Sequence, residues 1–288
     1  MVKEETVCLM DIKEVNFSVI LPILEREDII LGFPKALESI YQNTIKPDQV
    51  VVTIDGQVSK DFEEIIKSYE SKHKLDLVWI PSKVGLDKAL NLGLFKCRNE
   101  IIFRADGDDI NKTNRFEVQL PYLLDIYDIV GSYVDEYDED DKYISTRKVP
   151  QTDKAILKMM PFRNPINHMT VGFKKSQIIN LGGYPELFLK GDYGLWIKLK
   201  AANLKFFNID KSLVKATTGK RMIKDRGGWK YIVSEFFLQK FLLKNGLTNI
   251  FLAIFIFFMR SIVFALPAYI RSLIYLKFLR SRWNNVKN

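Results

Sequence analysis

Cysteine is scarce: Cys8 and Cys97 are the only two in 288 residues, too few and too far apart for a disulfide framework or a thiolate metal site. That scarcity fits a reducing compartment such as the cytosol. No GxGxxG and no GxxxxGK(S/T) run occurs, so neither a dinucleotide fold nor a P-loop has support. The opening stretch MVKEETVCLMDIKEVNF is charged, mixed in sign and without an apolar core, which predicts no signal peptide. The longest uncharged run of the tail, Asn245 to Met259, falls short of the ~20 residues a spanning helix needs. Internal repeats and low-complexity tracts are absent.

Acidic residues are scarce in the C-terminal quarter. Residues 211–288 hold 15 Lys and Arg against 2 Asp and Glu, a balance of +13. The whole chain carries +8, so residues 1–210 stand at −5. From Trp229 onward the basic residues are interleaved with runs rich in Phe, Ile and Leu, which favours an anionic membrane surface over nucleic acid as the partner. Arg260, Arg271 and Lys277 interrupt these runs and Pro267 breaks them, a pattern for lying on a membrane rather than crossing it. A single tilted or re-entrant span and a buried helical cap on the main domain are the alternatives.

What the chain does have is alternation. Phe17 to Pro22, Val50 to Ile54, Leu75 to Ile80 and Ile101 to Phe103 are apolar runs that predict buried strands. Between them, Pro34 to Tyr41, Asp61 to Tyr69 and Leu86 to Phe95 carry helical spacing, and the polar ERED before Pro34 reads as a loop. Further on, Lys112 to Leu124 and Asp192 to Ala201 read as helices, with strands at Ile126 to Tyr133 and Thr170 to Phe173. Strands alternating with helices predict an α/β sheet with parallel pairing and helices on both faces.

Such sheets bind ligands outside the C-terminal ends of their strands. The fourth strand runs into Asp106-Gly107-Asp108-Asp109, three carboxylates in four positions that repel unless a cation relieves them. Mg2+ or Mn2+ suits such an oxygen-rich set, and Gly107 permits close backbone approach. Asp55 closes the second strand and should face the same crevice, as a turn carboxylate or an acceptor for a nucleotide base or ribose. The acidic run Asp135 to Asp141 reads as a solvated hairpin tip or insertion. His168 alone reads as a structural hydrogen bonder, and Asp192 alone as a charge favouring a helix N-terminus.

Taken in order, these motifs resemble the family 2 glycosyltransferases, bacterial enzymes of GT-A fold, over roughly residues 17–217. FSVILP is similar to the family's first strand, VVTIDG to its nucleotide-contacting turn, and GLDKALNLGL to its Gly-Leu…Ala-Leu-Asn…Gly helix. RADGDDINKTNRF resembles the Asp-x-Asp-Asp…Pro-x-Arg-Phe signature, and NPINHMTVGFKKSQIINLGGY with GDYGLWIKL resembles the acceptor-side half. The tail resembles that of O-antigen and exopolysaccharide members. Three departures stand out. Gly191 replaces the usual Glu, Lys112-Thr113-Asn114 lacks the usual proline before Arg115, and Leu24-Glu25 replaces a common Tyr-Asn.

The resemblance implies a GT-A α/β/α sandwich with a mostly parallel mixed sheet over residues 17–220. A short extension (1–16) would precede it and a basic, apolar, membrane-associated helical segment (221–288) would follow. It implies that Pro22, Asp55, Lys88, Asp106 and Gly107 contact the nucleotide sugar, that Asp108 ligates Mn2+ or Mg2+, and that Asp192 is the general base. His168, Gly191 and Trp196 would lie on the acceptor side. The implied reaction is inverting transfer from a nucleotide-diphosphate sugar, with UDP expected, to a hydroxyl of a lipid-diphosphate-linked saccharide, on the cytoplasmic face of the inner membrane. The competing expectations are a polyprenyl-phosphate sugar synthase, whose acceptor needs no base, and a non-catalytic membrane-bound scaffold.

Overall fold

The computed structural model describes residues 12–217 and 227–274, so the first eleven residues, the proposed boundary at 220/221 and Lys277 lie outside the described residues. Strand β1 (Phe17–Ile23) is the axis of the sheet. All seven of its residues are buried, and it pairs in parallel with β2 (Gln49–Asp55) on one side and β4 (Ile101–Arg104) on the other. A strand covered on both faces reads as a continuous apolar run, which is why FSVILP shows no alternation. Period two still decides where each side chain goes. Val19 and Leu21 pack with Phe33 and Leu37 of α1 (Glu27–Tyr41), whereas Ile20 packs with Leu90 and Leu94 of α3 (Leu86–Lys96).

Outward from β2 lie β3 (Asp76–Ile80), also parallel, and α2 (Lys60–His73). Beyond β4 the sheet turns antiparallel at β8 (Gly172–Lys174), which bridges to β6 (Ile129–Tyr137). Strand β9 (Phe206–Thr217) runs parallel to β6, with the two-residue β5 (Ile110–Asn111) at its far edge and β7 (Tyr143–Arg147) forming a hairpin on β6. The order is β3-β2-β1-β4-β8-β6-β9-β5, mixed but with most registered pairs parallel. The acidic stretch predicted as a hairpin tip forms the end of β6 and the turn into β7. Helices α4 (Arg115–Leu124), α5 (Asp153–Met159), α6 (Lys175–Asn180) and α7 (Gly191–Ala201) complete the two outer layers.

Four local expectations need correction. Strand β1 does not stop at Pro22 but continues to Ile23; its ladder with β4 ends at Ile20, so the proline removes no bond on that side. Only the first half of ERED is a loop: α1 begins at Glu27 and carries Pro34 inside it. An interior proline costs about 3 kcal/mol. The first two turns persist because Ile29 and Phe33 are buried and the acidic Glu27 and Asp28 suit a helix N-terminus. Helix α4 begins only at Arg115, after the short strand β5. Strand β9 escaped notice because its register against β6 shifts around Tyr133, which breaks the period-two signal.

The C-terminal segment divides into two behaviours. Helix α8 (Trp229–Lys244) buries Leu238 and Leu242 in the same apolar cluster as Leu195 and Trp196, so its inner face is a cap on the sheet domain. Helix α9 (Ile250–Ala265) lies against α8, joined by an Arg260–Glu235 ion pair at 3.1 Å, and buries only Ala253 and Ile256. Its outer side exposes Phe251, Ile254, Phe255, Phe258, Met259 and Ile262. Pro267 breaks the chain before α10 (Ala268–Ile274), so Arg260 and Arg271 do not sit on one continuous helix. No helix among the described residues is long and apolar enough to cross a membrane.

Candidate active site

The acidic turn after β4 is held by close backbone packing. A Cβ on Gly107 would lie 2.9 Å from Ile23 Cγ2, and a Cβ on Gly32 would lie 2.9 Å from Asp108 Cα, so α1 presses its bare backbone onto the turn. Beneath it the fully buried Arg115 donates to Arg104 O at 2.7 Å and to Gln119 Oε1 at 3.0 Å, fixing the end of β4. Carboxylate oxygens of Asp106, Asp108 and Asp109 converge to within 4.8 Å of one another. Arg104 Nη2 reaches Asp106 at 2.5 Å and Arg26 Nη2 reaches Asp108 at 3.8 Å.

Two guanidiniums do not offset three acids packed this tightly. Burial, then the charges of Asp106 and Asp28, push the Asp108 carboxyl up to about 6. Burial, then Asp106 and Asp108, hold Asp109 well above the ordinary carboxylate range. An all-oxygen set with this unrelieved charge fits Mg2+ or Mn2+. Asp109, a member of the acidic run with no individual role expected of it, is the most enclosed member of the group.

Asp55 ends β2 as expected and is buried. Its Oδ1 accepts from Val84 N at 2.7 Å and its Oδ2 from Gly85 N at 2.9 Å, so it shapes the loop that opens α3. Gly85 has φ +91°, a conformation suited to glycine. Beside Asp55 lies a cavity of about 310 Å³ lined by Gly56, Gln57, Val58, Glu63, Trp79 and Pro81. Pro22 is buried within β1 against Thr53 of β2. Lys88 pairs with Glu186 at 3.1 Å.

Asp192 stands half-buried in the first turn of α7, and its Oδ2 accepts from Asn164 Nδ2 at 2.7 Å. Behind it, Trp196 is fully buried, edge-on to His168 and to Phe206, and has no surface to offer a ligand. His168 is enclosed too, bonded through Nε2 to Tyr184 Oη at 2.9 Å, and burial depresses its pKa well below the ordinary value. Both are core residues beneath the start of α7. Burial raises the Tyr184 phenol, and the charges of Asp87, Asp192 and Asp106 add to that. Asp87 and Asn164 went unnoticed in the sequence, where one reads as a helix-start charge and the other as a residue before proline.

The family model "Glycosyl transferase family 2" matches residues 18–178. The chain belongs to that family. It is 37% identical over 270 residues to the Escherichia coli UDP-Gal:alpha-D-GlcNAc-diphosphoundecaprenol beta-1,3-galactosyltransferase, covering 92% of this chain and 97% of that one. It is 30% identical over 263 residues to the amylovoran biosynthesis glycosyltransferase AmsE of Erwinia amylovora, covering 91% and 98%. Among solved structures, S. aureus TarS 1-349 in complex with UDP-GlcNAc matches with TM-score 0.61 at 17% identity, over 92% of this chain and 76% of that one. That likeness establishes the GT-A type of fold. A further relative, 26% identical over 231 residues and covering 79% of this chain and 90% of that one, is the O-antigen biosynthesis glycosyltransferase WbnJ of Escherichia coli, in line with the class that the resemblance of the tail implied.

Proposed function

We propose that this glycosyltransferase moves a sugar from a UDP-linked donor, with inversion, to a hydroxyl of a lipid-diphosphate-linked saccharide. What carries the reading is the end-to-end likeness to a transferase whose acceptor is a sugar on diphosphoundecaprenol. The arrangement of the site supports it. Asp55 and the 84–85 loop flank the cavity suited to the nucleotide, and Asp106, Asp108 and Asp109 would hold the divalent cation. A cation bound there supplies Lewis-acid stabilisation of the departing diphosphate. Asp192 takes the proton from the attacking hydroxyl, with Asn164 orienting its carboxylate. Pro22 and Gly107 shape the wall between β1 and the acidic turn, and Lys88 closes the opposite rim through Glu186.

The enzyme meets its lipid-borne acceptor at the cytoplasmic surface of the inner membrane, where α9 lays its exposed phenylalanines into the lipid interface. Exposed Lys230, Lys240 and Lys244 of α8 add attraction to anionic headgroups. A 16-residue helix is about 24 Å long, shorter than the hydrocarbon core, which suits lying flat.

The test is a panel of nucleotide sugars with Mn2+, scoring release of nucleoside diphosphate. One arm contains a diphospholipid-linked GlcNAc, one a polyprenyl phosphate, and one no acceptor. Release stimulated by the diphospholipid sugar alone is expected. Stimulation by the polyprenyl phosphate alone would transfer the assignment to a lipid-phosphate synthase, and nucleotide-sugar binding without release would leave a binding scaffold.

A further inference from the structure

Asp87 is the second residue of α3, and the fold makes room for its side chain. Its carboxylate rests against the backbone of Gly191: a Cβ built there would lie 1.9 Å from Asp87 Oδ2 and 2.0 Å from Oδ1 and Cγ. Any side chain at 191 would displace it. Gly191 is not among the glycines with positive φ, so the backbone does not demand a glycine there. What the glycine provides is space for a carboxylate immediately beside Asp192.

That carboxylate makes no hydrogen bond or ion pair among the described residues. Asn164 bonds Asp192 at 2.7 Å, Lys88 turns to Glu186 at 3.1 Å, and Arg104 turns to Asp106 at 2.5 Å. Burial, then the charge of Asp192, pushes the Asp87 carboxyl up to about 6, offset in part by Arg104. A carboxylate held partly out of water gains from a donated hydrogen bond. It also lines a second cavity of about 310 Å³, between the 84–88 turn and the 186–189 loop, whose rim exposes Leu86, Phe188 and Leu189. Flat apolar rim groups around a carboxylate suit a pyranose ring, which offers apolar C–H faces and hydroxyl edges.

We propose that Asp87 is a second recognition carboxylate of the transfer site, accepting a hydrogen bond from a sugar hydroxyl next to the reacting position, and that Gly191 is glycine to admit it. This rests on the glycosyl-transfer reading. The hydroxyl belongs to the acceptor saccharide or to the sugar of the donor, and the two sources differ in which KM they set. A plain helix-start role for Asp87 would instead affect stability and leave both KM values alone.

The experiment uses the full chain with the nucleotide sugar that turns over and diphospholipid-linked GlcNAc as acceptor. Asp87→Asn, which keeps the shape, should raise KM for one substrate by about tenfold or more, as expected for a lost charged hydrogen bond. The other KM should hold, and the melting temperature should hold or rise, since the variant relieves a carboxyl that burial and Asp192 disfavour. A rise in acceptor KM assigns the hydroxyl to the acceptor, and a rise in donor KM assigns it to the donor. Gly191→Ala should raise the same KM and add little on top of Asp87→Ala, because both remove one carboxylate from one place. Kinetics of Asp87→Asn within twofold of wild type, or losses from Gly191→Ala and Asp87→Ala that simply add, would overturn the proposal. Wild-type protein that turns over no nucleotide sugar would instead remove the underlying functional reading, and this inference with it.

Discussion

Asp108→Asn should separate the function of the acidic turn from its stability. The three carboxylates converge within 4.8 Å. At that separation and an effective dielectric near 20, a like-charge pair repels by roughly 3.5 kcal/mol. The Asp108 carboxyl, raised from 3.8 to about 6, points to a penalty on the order of 3 kcal/mol for the charged form. That shift already includes the attraction of Arg26, and solvent screening of the partly exposed carboxyl reduces its worth, so neutralising Asp108 should stabilise the metal-free protein by roughly 1–2 kcal/mol at pH 7.5, or about 2–8 °C in melting temperature.

The sign follows from linkage. A carboxyl raised in the folded state favours folding below its unfolded value near 3.8, and that contribution is lost as pH rises through about 6. The advantage of the Asn variant should therefore be full at pH 7.5 and shrink toward pH 4. Mn2+ at a hundred times its dissociation constant adds about 2.7 kcal/mol to wild type and should add little to the variant. Differential scanning fluorimetry with and without Mn2+ should thus show the order of the two proteins reversing. A variant that is less stable than wild type without metal, and equally stabilised by Mn2+, would refute the electrostatic account of the turn.

Other perturbations give separable outcomes. Asp55→Asn leaves the Val84 and Gly85 amides with a weaker acceptor, so donor KM should rise at least about tenfold with a stability loss of about 1–3 kcal/mol, read by kinetics and thermal melting. Gly32→Ala drives a methyl into the Asp108 backbone, 2.9 Å away, and should weaken Mn2+ binding measured calorimetrically while leaving nucleotide binding near wild type. Replacing the exposed Phe251, Phe255 and Phe258 together by Ser should abolish pelleting with anionic vesicles and spare the melting temperature, since none of the three is buried. Pelleting that persists in the triple variant would move the membrane contact off α9.

Much of this was legible in the chain because buried parallel strands leave uninterrupted apolar runs. Strands β1, β2 and β4 declared themselves that way, and Asp55 and Asp106 were placed simply by following each run to its end. Illegible features were those set by tertiary contacts. Helix α1 continues through Pro34 because Ile29, Gly32 and Phe33 have partners far away in sequence. Strand β9 hid behind its shifted register. Trp196, in a motif that suggested the acceptor, is part of the core under α7, and no local pattern distinguishes a tryptophan beneath a site from one lining it. Asp87 looked like any acid in a first helical turn, and only its contact with the backbone of Gly191, over a hundred residues away, marks it out. The basic tail gave a single signal that the fold divides between a capping helix and an exposed apolar one.

The most direct test of the central claim is transfer itself. Wild type and Asp192→Asn should be compared with saturating UDP-sugar, Mn2+ and a synthetic diphospholipid-linked GlcNAc, following the mass of the lipid product. Asparagine keeps the oxygen that accepts from Asn164 but takes up no proton at neutral pH. The account predicts that wild type adds one hexose-type residue to the lipid, and that Asp192→Asn binds donor with unchanged affinity yet transfers about 10²–10⁴-fold more slowly. Near wild-type transfer by Asp192→Asn, or a wild type that leaves the lipid mass unchanged with every UDP-sugar supplied, would contradict it.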